Sequence, residues 1–498
     1  MKRRELMYAP LLGLAPIAQG KGPEIYTRVG AKPFINLTAT FTVNGGALTR
    51  PEVKRAMEEA SHYPMNLDEL MDAVGRRLAE LLGSEAAIVT SGASAALTHA
   101  TAGCITGGDP EKIQQLPDLA GLRSEVIVAK ASRNTYDQAV RAAGVRMINV
   151  DSAAEAEKAL GPRTAMLFLL GTAEARGGVR LEEFAALGRK AGVPVLVDAA
   201  AELPWNPNPY LKRGADLVAY SGGKFLRGPS CAGLLLGRKD LVRAAWLNSS
   251  PHHAMGRAMK VGKEEVMGML AAIEVWRANY DLEGEYRRWE GWLKEIGEMA
   301  AKVEGVKYEL RPPAGASPFP VMNLSWDKTR HGITAGEVGR KLLEGTPRIM
   351  SHAEGAGYSF LVRPVAMKPG EAKLAGKRIA EILDGAPPAG AQPERKPAAA
   401  KLDGDWRLEL EFVASKARHQ MTLAERGGEL SGEYRARITK GRISGHADGE
   451  AVRFRASLPY EGTTLAYEFA GRIAGGAMSG TVSLGEYGEA AWKAERIS

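Results

Sequence analysis

Cysteine is scarce, with two in 498 residues. Cys104 and Cys231 cannot build a disulfide framework or a four-ligand zinc site, and both read as small, buried packing residues. Nucleotide-type phosphate loops are missing as well. No GxxxxGK[ST] occurs and no GxGxxG joins a strand to a helix, which excludes a nucleoside triphosphate or a dinucleotide as the organising ligand. Basic runs are short. The 66 Lys and Arg against 58 Asp and Glu leave a formal charge of +8, but these residues are scattered, and a solvated surface accounts for them without a nucleic-acid groove. No apolar run is long enough to span a bilayer as a stable helix.

The N-terminus carries Lys2-Arg3-Arg4 followed by an apolar stretch over residues 6–18. A charged start and a short apolar core mark an export signal. The paired arginines resemble a twin-arginine signal, so a leader over residues 1–23 and a periplasmic or exported protein are expected, a cytoplasmic one being the alternative.

With 45% hydrophobic and 25% charged residues, the rest is ordinary globular protein, long enough for two or three domains. Short apolar runs at residues 86–90, 126–129, 147–150, 165–170, 193–197, 217–220 and 233–236 alternate with helical patterns. That rhythm predicts a mostly parallel sheet with helices on both faces, whose ligands bind beyond the strand C-termini. A smaller α+β unit is expected over 301–385 after a large domain over 24–300. Residues 386–401 form a Pro/Ala linker, and residues 402–498 switch to period-two alternation between Gly-rich turns, which predicts a small antiparallel barrel or sandwich.

The chemistry is concentrated at the predicted strand ends. Asp198 closes the apolar run at 193–197, and Lys224 lies in Ser221-Gly222-Gly223-Lys224-Phe225-Leu226-Arg227-Gly228-Pro229. A lysine in a glycine-bracketed loop can form a Schiff base with an aldehyde cofactor, and a buried aspartate can keep a pyridinium nitrogen protonated so that the ring accepts electrons. The pair reads as a pyridoxal 5'-phosphate site. An ordinary turn with a solvated lysine would share the local letters, but Ser91-Gly92-Ala93-Ser94 opens an alanine-rich helix after another strand, and such a turn offers N–H groups and a positive dipole end to a phosphate.

These segments, together with Ile25-Tyr26-Thr27-Arg28-Val29-Gly30, Phe34-Ile35-Asn36, Asn44-Gly45-Gly46 and Asp198-Ala199-Ala200-Ala201-Glu202, resemble the selenocysteine-synthase-like superfamily. The resemblance covers about residues 24–385 and is strongest to the D-glucosaminate-6-phosphate ammonia-lyase branch. Selenocysteine synthase carries an Asp just before its cofactor lysine, where this chain has Gly223. The resemblance implies pyridoxal-phosphate fold type I and a lyase releasing ammonia from a small amino-acid-like or amino-sugar-acid substrate. The alternatives are a seryl-tRNA selenium transferase and a non-catalytic binding protein on the same fold. No nucleic-acid partner is expected, and a homodimer or higher homo-oligomer is.

On that resemblance Lys224 holds the cofactor and moves the α-proton, and Asp198 tunes the ring nitrogen. Ser91, Gly92, Ala93, Ser94 and Ser221 take the phosphate, and Ala200 packs beneath the ring. One of Arg133, Asn134 and Tyr136 covers its other face, with Asn134 counted among the cofactor contacts. Asn36, Thr40, Asn44, Gly45 and Gly46 line the substrate side. Candidate anion anchors are Arg227, Arg257 with Lys260 and Lys263, and Arg363. His252 and His253 are expected beside the cleft as acid/base or phosphate contacts, and no metal is expected.

Overall fold

The computed structural model describes residues 24–314, 318–390 and 395–497, so the leader reading of residues 1–23 lies outside the described residues. The apolar runs of the large domain form seven strands: β1 (Ala86–Thr90), β2 (Glu125–Ala129), β3 (Arg146–Val150), β4 (Thr164–Leu170), β5 (Val195–Asp198), β6 (Leu217–Ser221) and β7 (Gly233–Gly237). Their spatial order is β1-β7-β6-β5-β4-β2-β3. Every pair is parallel except those of β7, which runs against both its neighbours. Strands such as β4, buried along nearly their whole length, read as continuous apolar runs because helices cover both faces of the sheet.

The register brings the functional positions to one edge. Thr90 pairs with Gly233, Gly233 with Ser221, Ala219 with Asp198, and Asp198 with Leu170. The turn after β1, the aspartate of β5 and the lysine loop after β6 are thereby neighbours, although more than a hundred residues separate the first from the last. Helix α1 (Leu67–Leu82), capped by the Asn66 side chain accepting from the Asp68 and Glu69 N–H groups, lays Met71, Val74, Leu78 and Leu82 into the core beside β1. Burying a side chain of that size contributes about 1.5–3 kcal/mol. Helix α2 (Gly92–Thr106) is buried on all sides from Ala95 onward, which explains its small residues and its lack of a polar face.

The small domain has a second core on a three-stranded antiparallel sheet, β8 (Val306–Arg311), β9 (Val321–Trp326) and β10 (Ser359–Val362), in the order β10-β9-β8. The division between the two cores does not coincide with residue 300. Helix α3 (Leu282–Ala300) gives Trp289 to the large core and Leu293, Ile296 and Ala300 to the small one. Ile35 and Leu37, far upstream, also belong to the small core, because Ile35–Asn36 pairs in parallel with Ile349–Met350 and Thr38 bridges to Arg363. The N-terminal segment thus ties the two domains together.

The period-two segments close into an eight-stranded antiparallel barrel, β11 (Gly404–Glu411), β12 (Lys416–Arg426), β13 (Glu429–Arg435), β14 (Lys440–Asp448), β15 (Ala451–Tyr460), β16 (Thr463–Ala474), β17 (Ala477–Ser483) and β18 (Glu489–Arg496). β11 pairs with β18, so no strand edge is left free. Its third core contains Trp406, Tyr434, Phe454, Phe469 and Trp492. Both ends of the linker are anchored. The Gly332 N–H donates to the Pro387 carbonyl at 2.7 Å, and the Ala399 N–H to the Gly449 carbonyl at 2.8 Å. Among the described residues no helix is long and apolar enough to cross a membrane, and no group of His, Cys, Asp and Glu could hold a metal ion.

Candidate active site

A cavity of about 420 Å³ opens where the strand ends converge. Ser91, Gly92, Ala93 and Ser94 line one side of it. Ser91 is the N-terminal cap of α2 but makes no capping hydrogen bond through its side chain, so the first N–H groups of the helix are left to a ligand. Gly92 has φ +81°, and strand β7 passes so close that a Cβ on Gly233 would collide with the Gly92 peptide. Small residues are required here by packing as well as by the open cradle.

Asp198, Ala200, Ala201, Ser221 and Lys224 line it as well. Asp198 is buried and accepts the Ala200 N–H at 2.9 Å. Burial raises its pKa above the ordinary carboxylate value, opposed by that hydrogen bond and by Lys224. Burial lowers the pKa of Lys224, opposed by Asp198, so the amine sheds its proton more readily and is the better nucleophile. The Lys224 ammonium lies 5.7 Å from the centre of the Tyr136 ring. Tyr136 and Asn134 line the cavity too. Asn134 is held in its own turn, Oδ1 accepting the Tyr136 N–H at 2.7 Å and Nδ2 donating to the Ser132 carbonyl at 3.0 Å. Arg133 does not line the cavity; its guanidinium is engaged by Asp137, Asn149 and Glu461.

All nine positions assigned to the cofactor from the sequence therefore meet in one cavity. The donor set suits pyridoxal phosphate: uncapped helix N–H groups and serines for the phosphate, alanines where a flat ring must fit, a buried carboxylate for a ring N–H⁺, and an amine of depressed pKa. When bound, this cofactor supplies an electron sink for negative charge at the substrate's α-carbon. The lysine loop is tightly packed at two glycines and admits no side chain at Gly223. A Cβ on Gly222 would come within 2.8 Å of Met269 Sδ, and one on Gly223 within 2.6 Å of Ser230 Cα and 2.7 Å of its carbonyl oxygen. The acidic residue of selenocysteine synthase has no room at position 223 in this loop.

None of the positions assigned to the substrate lines this cavity. Asn36 and Asn44 serve the N-terminal segment, Asn36 Oδ1 accepting from Thr38 N–H and Oγ1–H at 2.8 and 2.7 Å, and Asn44 Nδ2 donating to Thr38 Oγ1 at 2.7 Å. Thr40 is half-buried in the same segment. Gly45 and Gly46, both at positive φ, turn the chain onto the lysine loop, where the Ala47 N–H donates to the Gly223 carbonyl at 2.9 Å. Arg227, at φ +54°, donates from Nε to the Leu48 carbonyl at 3.0 Å and faces Glu285 at 3.7 Å, so its charge is spent on holding the loop. Arg257 is exposed and donates to Ser250 Oγ at 2.8 Å; Lys260 is exposed, and Lys263 donates to the Ala60 carbonyl at 2.8 Å. His253 is exposed, and His252 faces Asp68 at 3.3 Å and the Trp246 ring; neither lines the cavity. Arg363 differs from these. Its Nη1 is buried without a hydrogen-bond partner among the described residues, as are Ser351 Oγ and His352 Nε2.

Cys231 corrects the sequence reading. It is exposed and lines the cavity, because the turn from Pro229 to Ala232 closes the lysine loop at the surface. Thr42 and Thr172 also line the cavity and were not among the sequence candidates. Thr172 follows the C-terminal end of β4, where the rule for parallel sheets would have found it. Thr42 arrives through the long-range pairing of the N-terminal segment, which leaves no local signal.

Residues 19–261 match the family described as Cys/Met metabolism PLP-dependent enzyme. A 5'-C-glycyluridine monooxygenase-decarboxylase from Streptomyces sp is 31% identical over 390 residues, covering 74% of this chain and 95% of that one. The chain belongs to this family of pyridoxal-phosphate-dependent enzymes. Other members are similar at lower identity. D-Glucosaminate-6-phosphate ammonia lyase from Salmonella typhimurium is 27% identical over 374 residues, covering 73% of this chain and 98% of that one. A solved D-glucosaminate-6-phosphate ammonia-lyase structure superposes with a TM-score of 0.65 at 27% identity, covering 73% of this chain and 99% of the other. The L-seryl-tRNA(Sec) selenium transferase of Proteus mirabilis is 27% identical over 288 residues, which is 50% of this chain and 58% of that one. As a family member the protein is an enzyme, and pyridoxal phosphate is its cofactor.

Proposed function

We propose that this enzyme is a lyase that eliminates ammonia from a small amino acid or amino-sugar acid. The observation that carries the reading is the match to an ammonia-lyase over nearly that protein's whole length, in sequence and in fold. The tight packing of Gly223 on Ser230 supports elimination over transfer from a seryl-tRNA. The paired Asp198 and Lys224 argue against a binding protein that has lost its chemistry. Lys224, whose pKa burial lowers, is the base that moves the substrate's α-proton, and Asp198 holds positive charge on the ring.

Arg363 is our candidate for the substrate's anionic end. Its N–H donates to the Leu37 carbonyl at 2.9 Å, which fixes it beside the N-terminal segment. The His352 ring lies 4.5 Å from that of Phe41, whose neighbour Thr42 lines the cofactor cavity. Arg363 Nη1, Ser351 Oγ and His352 Nε2 are each buried without a hydrogen-bond partner among the described residues, which leaves them free to serve an anion.

A panel of amino acids and amino-sugar acids tests the reading through ammonia release. Arg363→Ala should raise KM for the best substrate by roughly 10- to 100-fold, the worth of a charged hydrogen bond, with a smaller change in kcat. Seryl-tRNA should show only weak, salt-sensitive association; salt-resistant binding with a selenium-containing product would restore the transferase. Similarity to a monooxygenase-decarboxylase favours a second reading, in which oxygen uptake and carbon dioxide would replace ammonia in the same assay.

Two further parts of the proposal concern the setting. A second copy of the chain should cover the exposed Ile25, Tyr26, Val29, Val43, Tyr63 and Met65, since so many apolar side chains in one segment suit an interface; a monomeric mass in solution would remove this part. Export through the twin-arginine route would let the cofactor be loaded before translocation. Recovery of the mature protein from the cytoplasm alone would remove that one.

A further inference from the structure

The appended barrel touches the large domain through the tip of one hairpin. Between β15 and β16 the chain turns through Glu461 at φ +51° and Gly462. A non-glycine residue in the left-handed region is uncommon, and here it aims a carboxylate at the Arg133 guanidinium. Gly462 sits so close to the Asn134 carbonyl and the Asp137 carboxylate that no Cβ could be added without moving them. The Tyr460 ring lies 5.8 Å from the Arg141 guanidinium. Three consecutive hairpin residues thus contact residues 133–141.

The same turn carries Asn134 and Tyr136 into the cofactor cavity, with the Tyr136 ring facing Lys224. Arg133 joins the two sides. Its side chain is 9% exposed, and it is bound to Asp137, which is 1% exposed, to Asn149 Oδ1 at 2.6 Å and to Glu461. Two of those partners belong to the large domain and one to the barrel. Without the carboxylate of Glu461, the guanidinium loses the partner on its outer side, and the turn loses the surface against which its backbone rests.

We propose that the Tyr460-Glu461-Gly462 tip is a positioning element that sets the cofactor turn from outside, so that the C-terminal barrel governs how tightly the active site holds pyridoxal phosphate. Glu461 touches neither cofactor nor substrate; it acts through Arg133 on Asn134 and Tyr136. The matches to relatives leave about a quarter of this chain uncovered, so a strut of this kind is compatible with a family whose chemistry is carried by residues 24–385. The inference rests on the cavity as the cofactor site and is independent of whether the reaction is elimination.

The test uses the full-length protein and two readouts other than turnover: the dissociation constant for pyridoxal phosphate, and amide hydrogen exchange over residues 130–141 in protein stripped of cofactor. Glu461→Gln and Gly462→Val should each weaken cofactor binding at least fivefold and speed exchange in that segment, while the barrel strands keep wild-type exchange. Glu461→Asp should restore part of the affinity. Arg455→Gln, which removes an exposed charge elsewhere on the same barrel, should change neither readout. If Gly462→Val fails to fold, Glu461→Gln alone decides. Unchanged cofactor affinity and exchange in Glu461→Gln would overturn the proposal, as would an equal loss in Arg455→Gln.

Discussion

Lys224→Ala should abolish turnover, with a loss on the order of 10²–10⁴ from the missing proton transfer alone and more from the missing covalent anchor. The loop itself should survive the change. Its shape depends on backbone contacts, the Gly222 N–H to the Ala232 carbonyl at 2.8 Å and the Gly228 N–H to the Gly222 carbonyl at 2.9 Å, and on the glycines packed against Ser230 and Met269. The variant is therefore expected to fold, to bind the cofactor only reversibly, and to lack the absorption band of lysine-bound pyridoxal phosphate. Because burial lowers the Lys224 pKa, capture of added cofactor by the stripped wild-type protein should speed up with rising pH and level off below the lysine reference value of about 10.4. A variant with more than a tenth of wild-type turnover would contradict the role.

Asp198→Asn should retain cofactor yet lose roughly 10²–10³ in kcat, the usual consequence of removing one preorganised electrostatic group from a closed site. The same substitution gives a second, independent signal in protein without cofactor. Burial raises the Asp198 pKa, so the folded state holds a proton more tightly than the unfolded chain. That contribution to stability is complete below the unfolded value near 3.9 and is lost as pH rises through the higher folded value. Thermal unfolding of stripped protein should show this loss on raising the pH in the wild type and lack it in Asp198→Asn. Near-normal turnover in the variant would reject the electrostatic role, and identical pH profiles would reject the buried-charge account.

The cofactor half of the site was legible because its requirements are local. A strand buried on both faces shows as an apolar run, an aspartate at its end is conspicuous, and a helix that must admit a phosphate at its N-terminus and pack on every side needs Ser91, Gly92, Ala93 and Ser94 followed by alanines. The substrate half was less legible because it depends on long-range pairing. Arg227 is a cation beside the lysine, which made it a candidate anchor, but its backbone at positive φ turns the guanidinium back to the Leu48 carbonyl. Cys231 looked like a packing residue and proves exposed, since only the closed loop shows which side of the turn meets solvent. The period-two pattern announced short antiparallel strands without giving their number or deciding between a sandwich and a closed barrel; the closure rests on the pairing of the first strand with the last. Nothing in the letters Tyr460-Glu461-Gly462 marks a contact with Arg133, because the two segments lie some three hundred residues apart.

Reduction of the cofactor-loaded protein with borohydride, followed by peptide mapping, tests the central claim most directly. The label should be found on the peptide containing Lys224, in close to one equivalent per chain, with the visible absorption of the holoenzyme lost on reduction. Attachment at any other lysine, or failure to retain pyridoxal phosphate at saturating concentration, would contradict the assignment of this cavity as the cofactor site.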